Sequence, residues 1–319
     1  MTSAGPIVDE ETYPADKLLD DDAAVEANGF SGPYTISSYD KNKLAQFEAN
    51  PDYDGTYEQP KSDTVTLRYY AEGENLKLDV QNGDIDVAFR SLTPTDIEDL
   101  EGNDDVTVHK GEGGELRYIV FNLDRMPGDS PEEKLAIRKA VASSIDRQAL
   151  STEVYKETFT PAWSMVPEGL PGATEPFKEL YGEAPDKAKA QGFLDDAGVN
   201  TPVEINLQYN PDHYGASSDQ EYNAIKRQLE STDLFKVNLQ ATEWETYSED
   251  YPADAYPVHQ LGWFPDFPDA DNYLSPFLAR YNDKTPGNFT NSHYNEIGSD
   301  FEDKEMSTLL DDQRTEGDE

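Results

Sequence analysis

The residues best suited to binding chemistry lie in one run near the end of the chain, from Gln260 to Leu274. Two adjacent aromatic residues, Trp263 and Phe264, are followed in it by two prolines and three aspartates, of which the first is Asp266. Proline stops both a helix and a central strand, so the run predicts an ordered loop after a strand end. An aromatic wall beside a fixed carboxylate suits a small organic ligand that carries an ammonium group. A structural interpretation competes with this one, in which Trp263 and Phe264 fill the core and the aspartates cap a turn.

Residues for catalysis or for a metal centre do not form a known motif. The four histidines, at positions 109, 213, 259 and 293, lack metal-binding helical spacing, and no His-Glu-x-x-His, Gly-x-Ser-x-Gly or phosphate-loop sequence occurs. Asp269-Ala270-Asp271 starts like a calcium loop, but Tyr273 and Leu274 stand where an oxygen ligand and the invariant glycine belong. Without cysteine, disulfides and thiol nucleophiles are excluded. The sequence therefore predicts no enzyme, no metal and no cofactor.

The excess of acidic residues indicates the environment in which the protein works rather than the ligand that it binds. The 66 Asp and Glu against 25 Lys and Arg give a formal net charge of -41, spread over helical, extended and turn segments. Self-repulsion of this size destabilises a compact fold in dilute salt, where the Debye length is ~30 Å at ~0.01 M, whereas ~1 M salt shortens it to ~3 Å. We therefore expect a protein of halophilic type. The lack of a basic stripe excludes nucleic acid as a partner.

The elements that must position the run begin with an α/β first half. Apolar alternation predicts a hairpin over residues 34–48 and a strand from Val65 to Tyr69. A short helix around Leu76 and a further strand from Ile85 to Phe89 follow. This order of strand, helix and strand predicts a βαβ unit.

The second half repeats the pattern more clearly. Apolar alternation predicts strands from Val203 to Tyr209 and from Val237 to Ala241, with a helix over residues 222–229 between them. An earlier helix starts at Ser130, which can cap it, before Pro131 at the first helical position. Its apolar stripe is predicted by residues that recur every four positions: Ile137, Val141, Ile145 and Ala149.

The two halves meet where three glycines cluster within residues 110–115. A hinge there would absorb backbone change at little cost, although a plain tight turn would also need glycine. We therefore place the domain boundary at this segment, with 1–114 as a partial first lobe and 115–319 as a second lobe.

Short motifs along the whole chain resemble, in their order, those of solute-binding protein family 5, the dipeptide- and oligopeptide-binding lipoproteins of ABC importers. They are Gly32-Pro33-Tyr34, Asn50-Pro51-Asp52-Tyr53, Asn82-Gly83-Asp84-Ile85-Asp86, Tyr118 to Asn122, Ile137 to Ala140, Ser144 to Arg147, Glu243-Trp244, and Leu261 to Asp266. The resemblance implies an α/β, periplasmic-binding-protein-like (class II) fold of two lobes. Family members are longer, so it also implies the later portion of such a protein, incomplete at both ends.

The resemblance assigns roles within the run as well. It implies that Asp266 receives the α-ammonium group of a peptide, and that the backbone from Leu261 through Gly262 to Phe264 pairs with the peptide as an added strand. Trp263 and Phe264 would line the pocket for a side chain. Arg280 is a candidate for the ligand carboxylate.

The implied function is extracellular peptide binding for an ABC-type importer, with the ligand held between the lobes. The implied partners are a small peptide and the permease subunits. The implied location is the outer face of the cell membrane, with a lipid anchor in the full-length form whose signal is not in this chain. Alternatives are another solute such as a sugar or a metal chelate, an acidic extracellular hydrolase, and a structural surface module.

Overall fold

The computed structural model describes residues 9–90, 92–111, 113–278 and 306–315. The chain divides into two compact units, Met1–Arg90 and Ser91–Glu319, which are described separately. The two units are defined by the contacts within each of them. The hinge predicted at residues 110–115 is a statement about motion, and it stays a prediction.

Within residues 9–90, the first unit consists of short helices and one antiparallel sheet. Its elements are α1 (Asp21–Ala27), β1 (Tyr34–Asp40), β2 (Leu44–Ala49), β3 (Thr64–Arg68) and α2 (Gly73–Asn82). The strands are ordered β1-β2-β3, and each neighbouring pair is antiparallel. The predicted hairpin is confirmed. In its turn Asn42 takes a φ of 62°, a left-handed conformation that asparagine tolerates.

The strand predicted from Ile85 to Phe89 is wrong. This segment contains no strand, and Val87 and Phe89 expose 77% and 79% of their surface. Apolar alternation satisfies the pattern of a strand, but a strand also needs a neighbour that takes up its backbone N–H and C=O groups. Among the described residues, β3 pairs only with β2, so no βαβ unit forms in the first half.

The second unit combines helices with a mixed sheet. Its elements are α3 (Pro94–Glu101), β4 (Leu116–Phe121), α4 (Pro131–Ala142), α5 (Arg147–Ala149) with a π-helical continuation (Leu150–Val154), α6 (Pro176–Tyr181), α7 (Lys187–Asp196), β5 (Val203–Tyr209), α8 (Ser218–Ser231), β6 (Phe235–Ala241), α9 (Trp244–Asp250), β7 (Val258–Trp263), α10 (Ala270–Leu278) and α11 (Met306–Thr315). The strand order is β4-β7-β5-β6, with β5 parallel to both β6 and β7, and β4 antiparallel to β7. The predicted β5-α8-β6 unit is confirmed. None of the described helices is both long enough and apolar enough to cross a membrane.

The sheet of the second unit packs against helices on one face and against α9 on part of the other, where Glu204 of β5 and Lys236 of β6 stay exposed. On one face, residues of α4, α7 and α8 pack with alternate residues of the strands in the main core, among them Ile137, Leu194, Ile205, Tyr222, Leu229 and Val237. On the opposite face, Val120 and Leu261 pack with Tyr247 of α9, which is fully buried. Each such side chain contributes roughly 1.5–3 kcal/mol through burial. The main core therefore fixes the sheet, and the smaller cluster fixes β7 in it.

The helix that begins at Ser130 ends earlier than the apolar stripe predicts. The Ser130 side chain accepts from the Glu133 N–H, as expected for its cap, but α4 stops at Ala142. The Asp146 side chain then accepts from the Ala149 N–H and starts a second short helix. Residues spaced by four can thus belong to two consecutive helices, because capping residues between them interrupt the backbone hydrogen bonds.

Candidate functional site

The run from Gln260 to Leu274 lies at the end of strand β7, as predicted. β7 ends at Trp263, which pairs with Leu116 of β4, and the two prolines lie in the loop before α10. On its other side, β7 pairs with β5 only at Val258 and His259. Within the described residues, the last part of β7 therefore has a strand partner on one side alone, which leaves an edge that an extended peptide could use.

The five predicted site residues have different environments. Leu261 is 2% exposed and contributes its side chain to the core, so only its backbone can take part in binding. Gly262 and Trp263 are half-buried, and Asp266 is exposed. Phe264 exposes 38% of its surface, although it is a large apolar residue. The structural interpretation of the run requires Trp263 and Phe264 in the core, whereas Trp263 is only half-buried and Phe264 is exposed, so Phe264 and Asp266 are accessible to a ligand.

Gly262 is needed because another ring lies against the strand at this point. A Cβ atom at Gly262 would lie 2.8 Å from a ring carbon of Tyr214 and 3.0 Å from the carbonyl oxygen of Leu116. Any larger residue would displace the ring or the neighbouring strand. Tyr214 is 4% exposed, and burial raises the pKa of its hydroxyl. It therefore acts as a fixed backing for the strand end.

Asn272 connects the two polar groups of the motif. Its Oδ1 accepts from the Trp263 indole Nε1 at 2.9 Å and from the Asp266 backbone N at 3.0 Å. Its Nδ2 faces Asp266 Oδ2 at 3.5 Å. Asn272 is 6% exposed. Nothing in the sequence singles Asn272 out, because an asparagine in a segment rich in aspartate and proline also suits a plain turn.

An aromatic surface, formed by His213, Tyr214, Trp244 and Phe264, adjoins the motif. The rings of His213 and Trp244 stack with centroids 3.7 Å apart, and Phe264 lies edge-on to His213 at 5.9 Å and over Tyr214 at 6.2 Å. Burial lowers the pKa of His213, although the nearby Asp212 opposes the shift. A neutral imidazole and an indole together offer a flat surface for an apolar or cationic group.

Sequence reasoning missed His213, Tyr214 and Trp244 as site residues, although a signal existed. β5, β6 and β7 are parallel, so their carboxyl ends lie at one edge of the sheet. His213 and Tyr214 follow β5, Trp244 follows β6, and Phe264 follows β7. The rule that ligands bind outside the carboxyl ends of parallel strands would have placed all four together.

The glycine-rich segment before β4 contacts the loop of the motif. Tyr273 donates its hydroxyl hydrogen to the Gly114 carbonyl oxygen at 2.6 Å. A Cβ atom at Gly114 would lie 2.5 Å from that hydroxyl oxygen and 2.7 Å from Pro265. Gly114 therefore permits a close approach, whereas Gly111 and Gly113 have open space where a Cβ would be. A change in the backbone of this segment would therefore displace Pro265 or Tyr273, which lie on either side of Asp266 in the sequence.

Arg117, opposite Gly262 in the sheet, is a largely buried cation beside the strand end. It donates to the Tyr155 hydroxyl oxygen at 2.6 Å, and its guanidinium lies 3.5 Å from a Glu221 carboxylate oxygen and 3.2 Å from that of Glu115. Burial opposes its charge, but the Tyr155 oxygen and the two carboxylates outweigh burial and raise its pKa. Since two acids compensate Arg117, it is no free partner for a ligand carboxylate. Arg280, the predicted candidate, lies outside the described residues.

Metal-ligating side chains are not gathered in the part of the chain that the structure describes. No group of three His, Asp or Glu side chains there could hold a metal ion. The site that the described residues form is thus one of an exposed carboxylate, aromatic rings and a strand edge.

Acid sensitivity follows from His259, which lies three residues before Gly262 on β7. It is 3% exposed, and burial lowers its pKa from 6.5 to about 4, although Asp254 opposes the shift. Between pH 6.5 and about pH 4, His259 is protonated in the unfolded chain but stays neutral in the folded chain. Stability should therefore fall as the pH drops from about 6.5 to about 4, by roughly 3 kcal/mol from this residue. Chemical unfolding at fixed high salt, followed over this pH range, measures the loss.

The contribution of His259 is isolated by His259→Phe, which keeps a ring beside Tyr251 and Tyr256 but does not titrate. Carboxylates that titrate in the same range cancel in the difference between the two proteins. His109→Asn, at an exposed position, is the matched control and should keep the wild-type slope. A His259→Phe protein with an unchanged slope would contradict the assignment.

Comparison with known proteins assigns the chain to a family. The family model described as "Bacterial extracellular solute-binding proteins, family 5 Middle" matches residues 3–285. Di/tripeptide-binding protein 1 of Pseudomonas aeruginosa is 25% identical over 252 residues, which cover 76% of this chain and 44% of that protein. The oligopeptide-binding protein OppA of Bacillus subtilis is 27% identical over 299 residues, covering 90% of this chain and 50% of OppA. The chain spans about half the length of the curated relatives it matches.

Solved structures show the same fold. The ABC transporter substrate-binding protein CtaP of Listeria monocytogenes superposes with a TM-score of 0.71 at 21% identity, over 96% of this chain and 61% of CtaP. DppA of Helicobacter pylori, solved with the peptide STSA, gives 0.66 at 20% identity, over 90% of this chain and 52% of DppA. The predicted α/β, class II periplasmic-binding-protein-like fold is thereby confirmed.

Proposed function

Because the chain belongs to the bacterial extracellular solute-binding proteins of family 5, we propose that it binds small peptides outside the cell for an ABC-type importer. The two relatives described above are named as a di/tripeptide-binding and an oligopeptide-binding protein and not as enzymes. The proposal includes permease subunits as partners, a lipid anchor at the outer face of the membrane in the full-length protein, and a salt-rich habitat.

The observation that carries this proposal is the environment of Asp266. Its carboxylate is exposed, and no described Lys or Arg forms an ion pair with it. Asn272 nevertheless holds its backbone N–H, and Trp263 is held by the same amide group. A carboxylate whose backbone is held, and which has no cationic partner among the described residues, suits an ammonium group supplied by a ligand, since a charge-assisted hydrogen bond is about twice as strong as a neutral one.

The rest of the strand end supplies contacts that do not depend on the peptide sequence. The edge of β7 beyond His259 offers backbone groups to an extended peptide, and Gly262 lets the Tyr214 ring lie against that strand end. The aromatic surface receives the first side chain of the peptide. Closure of two lobes around the ligand would favour capture, because only in the closed state do both lobes contact the ligand.

Other solutes remain alternatives of the same class, since a flat aromatic surface also suits a sugar ring. A hydrolase is not supported, because the matching relatives are binding proteins. A structural surface module leaves the accessible Asp266 and Phe264 without a role.

The proposal is tested by identifying the ligand directly. Mass spectrometry of the natively purified full chain should detect short peptides, and calorimetric titration in high salt should show that tripeptides bind. The same tripeptides with an acetylated amino terminus should bind at least tenfold more weakly, because a buried charge pair is lost. Binding of sugars or metal chelates with no heat from any peptide would overturn the peptide assignment.

A further inference from the structure

The side chain of Asn272 does not cap the helix in which it lies. Asp269 caps α10, because its Oδ1 accepts from the Asp271 N–H at 2.8 Å. The backbone N–H of Asn272 bonds to the Asp269 carbonyl oxygen at 3.1 Å. The helix start is therefore satisfied without the Asn272 amide group, which reaches back to the strand end instead.

The orientation of that amide group follows from its partners. Two N–H donors, the Trp263 indole and the Asp266 backbone, point at the same atom, which must be the oxygen Oδ1. The nitrogen Nδ2, a donor, then faces Asp266 Oδ2 at 3.5 Å. One buried amide thus sets the indole and the carboxylate relative to each other.

We propose that Asn272 is a positioning residue of the binding site, which holds the Trp263 indole and the Asp266 carboxylate in one arrangement for the ammonium group of the ligand. This inference rests on the proposed function, because the ammonium contact belongs to Asp266. Asp266 is exposed and lies between Pro265 and Pro268, which have no backbone N–H to donate, so the bond from the Asp266 N–H to Asn272 holds a part of the loop that is poor in donors. Binding is most effective when such a group is held before the ligand arrives.

The test compares two readouts in the full chain. The first is the ratio of the dissociation constants for an N-acetylated tripeptide and for the same tripeptide with a free amine. The second, without ligand, is the hydrogen-exchange protection of the Trp263 indole N–H and the Asp266 amide, measured by NMR. In Asn272→Ala the ratio should fall roughly tenfold, the order expected for a hydrogen bond to a charged group, and both N–H groups should lose protection together. If this variant fails to fold, Asn272→Ser is used, since a serine cannot reach both donors.

Ser275→Ala is the matched control. Ser275 is 2% exposed in the same helix and donates to Asp271, but no bond joins it to Trp263 or Asp266. Its removal should lower stability and leave both readouts unchanged. A merely structural role for Asn272 would likewise lower stability and leave the ratio unchanged.

The outcomes separate this inference from the proposed function. If Asp266→Asn abolishes the preference for a free amine but a folded Asn272 variant keeps it, the positioning role is overturned and the function stands. If the wild type shows no such preference, the ammonium role of Asp266 is overturned. The hydrogen-exchange protection of the two N–H groups then tests by itself whether Asn272 holds Trp263 and Asp266 in one arrangement. Joint loss of protection then supports the arrangement, and unchanged protection overturns it.

Discussion

Replacing Asp266 by asparagine is expected to weaken the binding of a free-amine peptide by roughly thirtyfold to several thousandfold, or ~2–5 kcal/mol. The substitution keeps the shape of the side chain and removes its charge. The ammonium group of the ligand is then buried without a counter-ion, and the cost of that burial dominates the loss. Calorimetric titration of wild type and variant at fixed high salt measures the effect.

Asp269→Asn is the matched control for the charge. It removes one negative charge three residues away, and asparagine can still accept the hydrogen bond from the Asp271 N–H. Peptide affinity should stay within a factor of about two, since an exposed charge outside the contact contributes little. Equal affinities of wild type and Asp266→Asn would end the ammonium role and return the motif to a capped turn.

The predictable part of this fold is the part set by local pattern. The β5-α8-β6 unit and the end of β7 before the prolines were predicted because alternation, helical spacing and proline act over a few residues. The strand from Ile85 to Phe89 was predicted by the same rule and is wrong, because strand formation depends on a neighbour that a local pattern does not contain.

The site was predictable as a motif but not as an assembly. Asp266 and Trp263 stand out in the sequence, since an aromatic residue beside a fixed carboxylate suits a ligand that carries an ammonium group. Tyr214 and Asn272 do not stand out, because their importance comes from contacts with the strand end. Such contacts depend on which strand ends share an edge of the sheet, and that follows from topology.

The dependence of stability on salt is the second large effect that we expect. Acidic side chains are crowded locally as well as in total: Asp20, Asp21, Asp22, Glu26 and Asp40 line one depression in the first unit, with Lys41 as the one base in its lining. Several ion pairs elsewhere are exposed on both sides, such as Lys236 with Glu204. Exposed pairs of this kind contribute little to stability and do not offset a net charge of -41.

Raising KCl from ~0.01 M to ~1 M shortens the Debye length from ~30 Å to ~3 Å, so repulsion between separate carboxylates nearly disappears. We expect the free energy of unfolding to rise by several kcal/mol, which corresponds to a gain in Tm of roughly 10 °C. Calorimetric or circular-dichroism melts over a series of KCl concentrations measure this gain. A Tm that is the same in dilute and molar salt would contradict the halophilic interpretation.

The screening explanation also predicts which substitutions reproduce the effect of salt. The combination Asp21→Asn, Asp22→Asn and Glu26→Gln removes three crowded charges while Asp20 keeps its cap on the Ala23 N–H. This variant should melt higher than wild type in dilute salt and gain less from added KCl, because part of the repulsion is already absent. Glu204→Gln, the control, removes a charge that is paired with Lys236, so it should not raise Tm in dilute salt. If both variants melted alike in dilute salt, general salt effects on burial and hydration would account for the stabilisation, and repulsion between carboxylates would not.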